Sequence, residues 1–143
     1  MATLNDGTET IEQNTAPDEV YAKIKTALEK QADRNFDHQD CEFRGLVQAG
    51  AIRGKAIRKF YRRFTDVEIV ADVAPSVDLS CQIRLAGSVQ AQVFTLAAGQ
   101  DHVVVAVTGT VDAAANTVVD AVLLTGGGAE DVRITLHSRR YIA

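Results

Sequence analysis

The chain reads as an α+β domain: two N-terminal helices packed on a curved, mainly antiparallel sheet of five or six strands, closed into a cone. Three observations predict this. Apolar residues recur at helical spacing in two stretches before residue 65. After Thr65 the pattern changes to period two, the signature of half-buried strands. The breaks between the alternating runs are short and rich in Gly, Pro and Asn, as antiparallel hairpins require. Helices followed by strands, without βαβ alternation, exclude a doubly wound parallel sheet. A length of 143 residues suits one domain, and 46% hydrophobic with 24% charged residues is ordinary for a globular chain.

Residues 1–16 are polar and acidic and predict a flexible tail, with residues 17–143 as a single domain. The first 15 residues do not resemble a secretory leader, and no apolar run approaches the ~20 residues of a membrane span. A cytoplasmic location is the expectation. Pro17 followed by Asp18 and Glu19 suits a helix start. Val20, Ile24, Ala27 and Leu28 then form one apolar face, which predicts a first helix to about Arg34. Residues 41–47 suit a short strand. Residues 51–64 predict a second helix, with Ile52, Ala56, Ile57, Phe60 and Phe64 as its buried stripe. Strands are expected at 67–73, 78–85, 89–96, 102–111, 117–124 and 132–142. A sheet closed by a helix would enclose an apolar pocket.

Charge is unevenly distributed. Residues 1–43 carry ten acids and four bases, residues 44–63 seven bases and no acid, and residues 64–143 nine acids and four bases. The net charge of −4 argues against non-specific nucleic-acid binding by the whole surface. Cys41 and Cys81 lack zinc or CxxC spacing and read as reduced, buried thiols. No zinc-spaced Cys/His cluster, P-loop, dinucleotide fingerprint or HExxH is present, and no metal or cofactor is expected.

The segment from Ile52 to Phe64, with its Gly54-x-Ala56-Ile57 and Phe60-Tyr61 elements, resembles a helix of the NTF2-like superfamily in its SnoaL-like polyketide cyclase branch. The tail through Leu123-Leu124-Thr125, Val132-Arg133-Ile134 and Arg139-Arg140-Tyr141 resembles that family's last hairpin. The chain departs from the family in its short region before Gly54 and in having no tryptophan. The resemblance implies a homodimer and a conical pocket for a small apolar ligand. It also implies either binding alone or cofactor-free isomerase, dehydratase or cyclase chemistry.

Asp120 is the leading candidate base, because a carboxylate among Val118, Val122 and Leu124 would be desolvated and its pKa raised. The alternative is an Asp near a strand end with its carboxylate in solvent or paired to arginine. His137 could form a proton-transfer pair with Asp120 if the last two strands make a hairpin, and Tyr21 could stabilise developing charge. His102, Asp40 and Tyr61 are candidate ligand contacts. Asp37, His38 and Asp40 form a polar cluster suited to a turn, an acid/base histidine or a divalent cation. The rival reading comes from Arg53, Lys55, Arg58, Lys59, Arg62 and Arg63, with Phe60 and Tyr61 interleaved. On that reading the chain is a structural or assembly protein, viral or multi-subunit, that binds nucleic acid or an acidic partner.

Overall fold

The computed structural model describes residues 4–5, 10–11, 22–24 and 35–140. The chain divides into two compact units, Met1–Asn35 and Phe36–Ala143. In the first, β1 (Leu4–Asn5) and β2 (Thr10–Ile11) pair antiparallel, and residues 22–24 are helical. The rest of the expected first helix, Tyr21 included, lies outside the described residues.

Among the described residues the regular elements of the second unit are all strands, which overturns the α+β expectation. Its strands are β3 (Phe36–Leu46), β4 (Ile52–Ile57), β5 (Arg62–Val73), β6 (Leu79–Leu85), β7 (Ser88–Val89), β8 (Phe94–Leu96), β9 (His102–Ala106), β10 (Asp112–Ala113), β11 (Val118–Thr125) and β12 (Glu130–Arg140). The second helix expected at 51–64 is β4, a loop and the start of β5. One sheet runs β3-β12-β5, with β9 and β10 successively on the far edge of β5. The other runs β4-β11-β6, with β7 and β8 sharing the far edge of β6. Every pairing is antiparallel. Counting each interrupted edge as one position, the chain crosses between sheets at every step except that from β6 to the β7–β8 edge, and builds two four-position sheets. This order is the double-sheet jelly roll.

Period two explains the sandwich interior. Cys41 and Phe43 of β3, Val67, Ile69 and Ala71 of β5, and Val132, Ile134 and Leu136 of β12 meet Leu79, Cys81 and Ile83 of β6 and Val119, Ala121 and Leu123 of β11 in one buried cluster. At full burial each Val, Leu, Ile or Phe side chain here contributes roughly 1.5–3 kcal/mol, and each Ala less. The space assigned to an apolar pocket is thus occupied by the core.

Two irregularities account for the misread helix. In β5 the register with β12 shifts between Phe64 and Asp66, so Thr65 is an extra residue. Inward-facing positions therefore change from Arg62 and Phe64 to Val67 and Ile69. In β4 the register with β11 shifts around Gly54 and Lys55. These shifts and the intervening loop space apolar residues as a helix would, but Ile52 and Ile57 are exposed. Gly54 has a φ of +79°, and a Cβ there would collide with Cys41 Sγ. The close approach brings β4 against β3 at the edge where the two sheets meet. There Gln39 Nε2 donates to Gly54 O at 2.6 Å and Val119 O at 2.7 Å. Gln92 closes the opposite edge, donating to Ala106 O and accepting from Thr108 N.

Candidate functional site

Asp120 lies on the outer face of β11, and register places it opposite Arg84 of β6. Arg84 Nε donates to Oδ1 at 2.6 Å and Nη2 to Oδ2 at 2.8 Å. This bidentate fork covers the carboxylate so well that only 4% of Asp120 is exposed. The hydrogen bond raises the guanidinium pKa above its ordinary value. Each carboxylate oxygen thus already accepts one charged hydrogen bond, and little of the group is open to solvent. Beside the pair is an open basin of ≈ 710 Å³, lined in part by Arg53, Lys55, Arg84 and Asp120.

His137 is not beside Asp120. Residues 126–129 join β11 to β12, but the two strands belong to different sheets. His137 lies on the outer face of the β5-containing sheet, across from His38 on β3 and Asp66 on β5. His102 shares that face. Its Nε2 lies 2.7 Å from Glu68 Oε2, and His137 Nε2 lies 3.9 Å from Glu68 Oε1. The His102 contact holds the Glu68 carboxyl below its ordinary value. Asp40 on the same face accepts from Thr135 Oγ1 at 2.8 Å. The Asp37, His38 and Asp40 cluster is divided: Asp37 turns inward, while His38 and Asp40 turn outward. Among the described residues no group of three or more His, Cys, Asp or Glu is placed to hold a metal ion.

The thiols sit in the core. Burial first, then the Asp120 and Asp40 charges, push Cys41 up to about 12, and burial does the same to Cys81. Neither is a nucleophile at neutral pH.

The basic run is split among three environments. Arg53 and Lys55 border the Asp120 basin, Arg58 and Lys59 lie in the β4–β5 loop, and Arg62 and Arg63 open β5. Register brings Arg139 and Arg140 of β12 beside Arg63 and Arg62. One end of the sandwich therefore gathers six bases: Arg58, Lys59, Arg62, Arg63, Arg139 and Arg140. Asp37 and Asp112 are the acids among them. Arg63 Nε donates to Asp112 Oδ1 at 2.7 Å and Tyr61 Oη to Oδ2 at 3.2 Å, which holds Asp112 below its ordinary value. Arg58 Nε donates to Asp37 Oδ2 at 2.9 Å. Arg62, 1% exposed, reaches the same oxygen only at 3.7 Å. Among the described residues its Nη1 and Nη2 have no hydrogen-bond partner, and burial, with Arg58 nearby, lowers its pKa to about 10. Three arginines here stack on phenylalanines: Arg62 on Phe64 at 5.1 Å, Arg139 on Phe36 at 5.6 Å and Arg140 on Phe60 at 4.2 Å.

Sequence reasoning missed Arg84, Glu68, Arg139 and Arg140 as parts of these clusters. Each joins through cross-strand register, which local patterning does not encode. No family model matches the chain, and no curated protein matches its sequence. No helix among the described residues is long and apolar enough to cross a membrane.

Proposed function

We propose that this chain is a non-enzymatic assembly module whose basic end binds a polyanionic partner. The observation that carries this reading is the stacking of Arg62, Arg139 and Arg140 on Phe64, Phe36 and Phe60. Stacking holds guanidinium planes in fixed orientations, and it leaves the N–H edges of the exposed Arg139 and Arg140 available to an anion, with the buried Arg62 adding its charge beneath them. The surplus of positive charge stands out in a chain of net charge −4. Jelly rolls serve capsid subunits, lectins and cupins alike, so the fold alone does not select this function. Two features favour assembly over acid/base catalysis: an apolar core fills the interior, and Arg84 occupies both oxygens of Asp120.

The test is fluorescence anisotropy with labelled polyglutamate and a labelled oligonucleotide, across a salt series. The protein should bind at low salt and lose affinity linearly on a log–log plot. The Lys59→Glu, Arg139→Glu, Arg140→Glu triple variant should lose at least about tenfold in affinity, since about 1.4 kcal/mol is tenfold and three charges reverse. Absence of binding to either probe, or an unchanged affinity in the triple variant, would overturn the reading.

A further inference from the structure

The two ends of the sandwich carry opposite charge. The basic end has Lys59, Arg139 and Arg140 exposed on its surface. Beneath them lies Arg62, 1% exposed, with neither terminal nitrogen having a hydrogen-bond partner among the described residues. At the other end β3 and β5 finish and β12 begins, with Glu130 opposite both Leu46 and Val73. Asp72, Asp78, Asp101, Glu130 and Asp131 gather there, all exposed. Asp101 O accepts from Ala71 N at 2.9 Å, which fixes its loop at this end. Asp78 and Asp131 are engaged locally, by Ala98 N and Gly45 N. Asp72, Asp101 and Glu130 have no ion-pair partner among the described residues.

This end also carries a cleft of ≈ 310 Å³, bordered by Glu42, Asp72 and Asp131 together with Arg44 and Arg133. It is comparable in size to a few side chains. The opposite end presents bodies that could enter it: the Arg140 guanidinium on Phe60, and Arg139 on Phe36, which is 57% exposed.

We infer that copies of this chain bind head to tail, the basic end of one seated on the acidic loop end of the next. This rests on the polyanion-binding reading above and names the partner as a second copy. The charge complementarity is built into a single molecule. Ends of opposite sign repel their own kind, so isologous end-to-end pairing is disfavoured and heterologous pairing favoured. A heterologous contact closes into a ring or extends into a filament. Either form brings further positive charge to rest against carboxylates.

The test is native mass spectrometry and light scattering of the full chain at low and high salt, with two charge-reversed variants. One is Lys59→Glu, Arg139→Glu, Arg140→Glu. The other is Asp72→Lys, Asp101→Lys, Glu130→Lys. All six positions are exposed, and circular dichroism checks that both variants fold. The wild type should form species larger than a monomer at low salt and dissociate as salt rises. Each variant alone, having two ends of one sign, should be monomeric. An equimolar mixture should regain association, because the native acidic end of the first meets the native basic end of the second.

A wild type that stays monomeric at low salt, or variants that associate alone, would overturn the head-to-tail contact. So would a mixture that fails to associate. If the wild type is monomeric yet binds polyglutamate through Lys59, Arg139 and Arg140, the head-to-tail contact fails and the polyanion reading survives. If it neither associates nor binds the probes, both fail.

Discussion

Asp120 and Asp37 each meet arginine, and the two encounters resolve differently. At Asp120, register places one guanidinium opposite one carboxylate, and both oxygens are satisfied at 2.6 and 2.8 Å. At Asp37, one carboxylate serves two guanidiniums. Arg58 takes the 2.9 Å bond, and Arg62 is left at 3.7 Å with unused donors. The first site lies mid-sheet, where strand pairing fixes both partners. The second lies at the end of the sandwich, where a bulge in β5 and a loop deliver three charges to one place. A closed pair is a structural element. A buried cation with unused donors keeps its charge available to the surface above it, and that surface is where we place the polyanion.

The widest effect should come from Gly54, which borders the first site and packs against β3, the strand that carries Asp37. Gly54 O accepts from Gln39, and Gly54 borders the Asp120 basin. Gly54→Ala must adopt a left-handed backbone, about 1–2 kcal/mol, and overpack against Cys41, about 1–3 kcal/mol. We expect a loss of about 2–5 kcal/mol in urea unfolding, read from the midpoint at constant m. A neutral result would mean that β4 can withdraw from β3 without cost. Next in size is Asp37→Ala, which removes the one counter-ion Arg62 has among the described residues and should cost about 2–3 kcal/mol. Arg62→Met should by contrast be neutral or stabilising in a thermal melt, because it removes a buried cation whose donors are unused. If Arg62→Met proved as costly as Asp37→Ala, Arg62 would be as well answered as Arg84, and the contrast between the sites would collapse.

The comparison also shows what the sequence made legible. The later strands could be read because their inward residues follow period two without interruption: Leu79, Cys81 and Ile83, or Val119, Ala121 and Leu123. The alternation of this strand was readable for the same reason, but which of its faces turns to the core was not, and pairing to arginine was only one of the fates open to Asp120. The stretch from Ile52 to Phe64 was misread because register shifts at Gly54 and Thr65 broke that period and left an apolar spacing that imitates a helix. The identity of Arg84 as partner, and the meeting of Arg62 with Arg140, depend on which strands pair and in what register. The expected meeting of Asp120 with His137 failed for a topological reason. A short loop between two strands implies a hairpin in a meander, but in a jelly roll it can cross from one sheet to the other.

A third carboxylate tests whether an exposed site behaves like the closed pair or the open one. Glu68 faces His102 from β9 and His137, Thr135 and Arg133 from β12, with Asp66 beside it on β5. The His102 hydrogen bond holds it below its ordinary value of 4.5. A carboxyl depressed in the folded state contributes stability that is fully present above its unfolded value. That contribution is lost as pH falls through the lower folded value. Unfolding midpoints measured from neutral pH to about pH 3 should therefore show an acid limb that is shallower in Glu68→Gln. Because the site is partly exposed, this effect should be the smallest of those described, and added salt should weaken it. An unchanged limb would mean that Glu68 is answered equally well by water, and that register on this outer face fixes position without fixing energy. A limb that vanishes would instead make the histidine-flanked carboxylate the chief acid sensor of the sandwich and set it beside Asp120 as a closed pair.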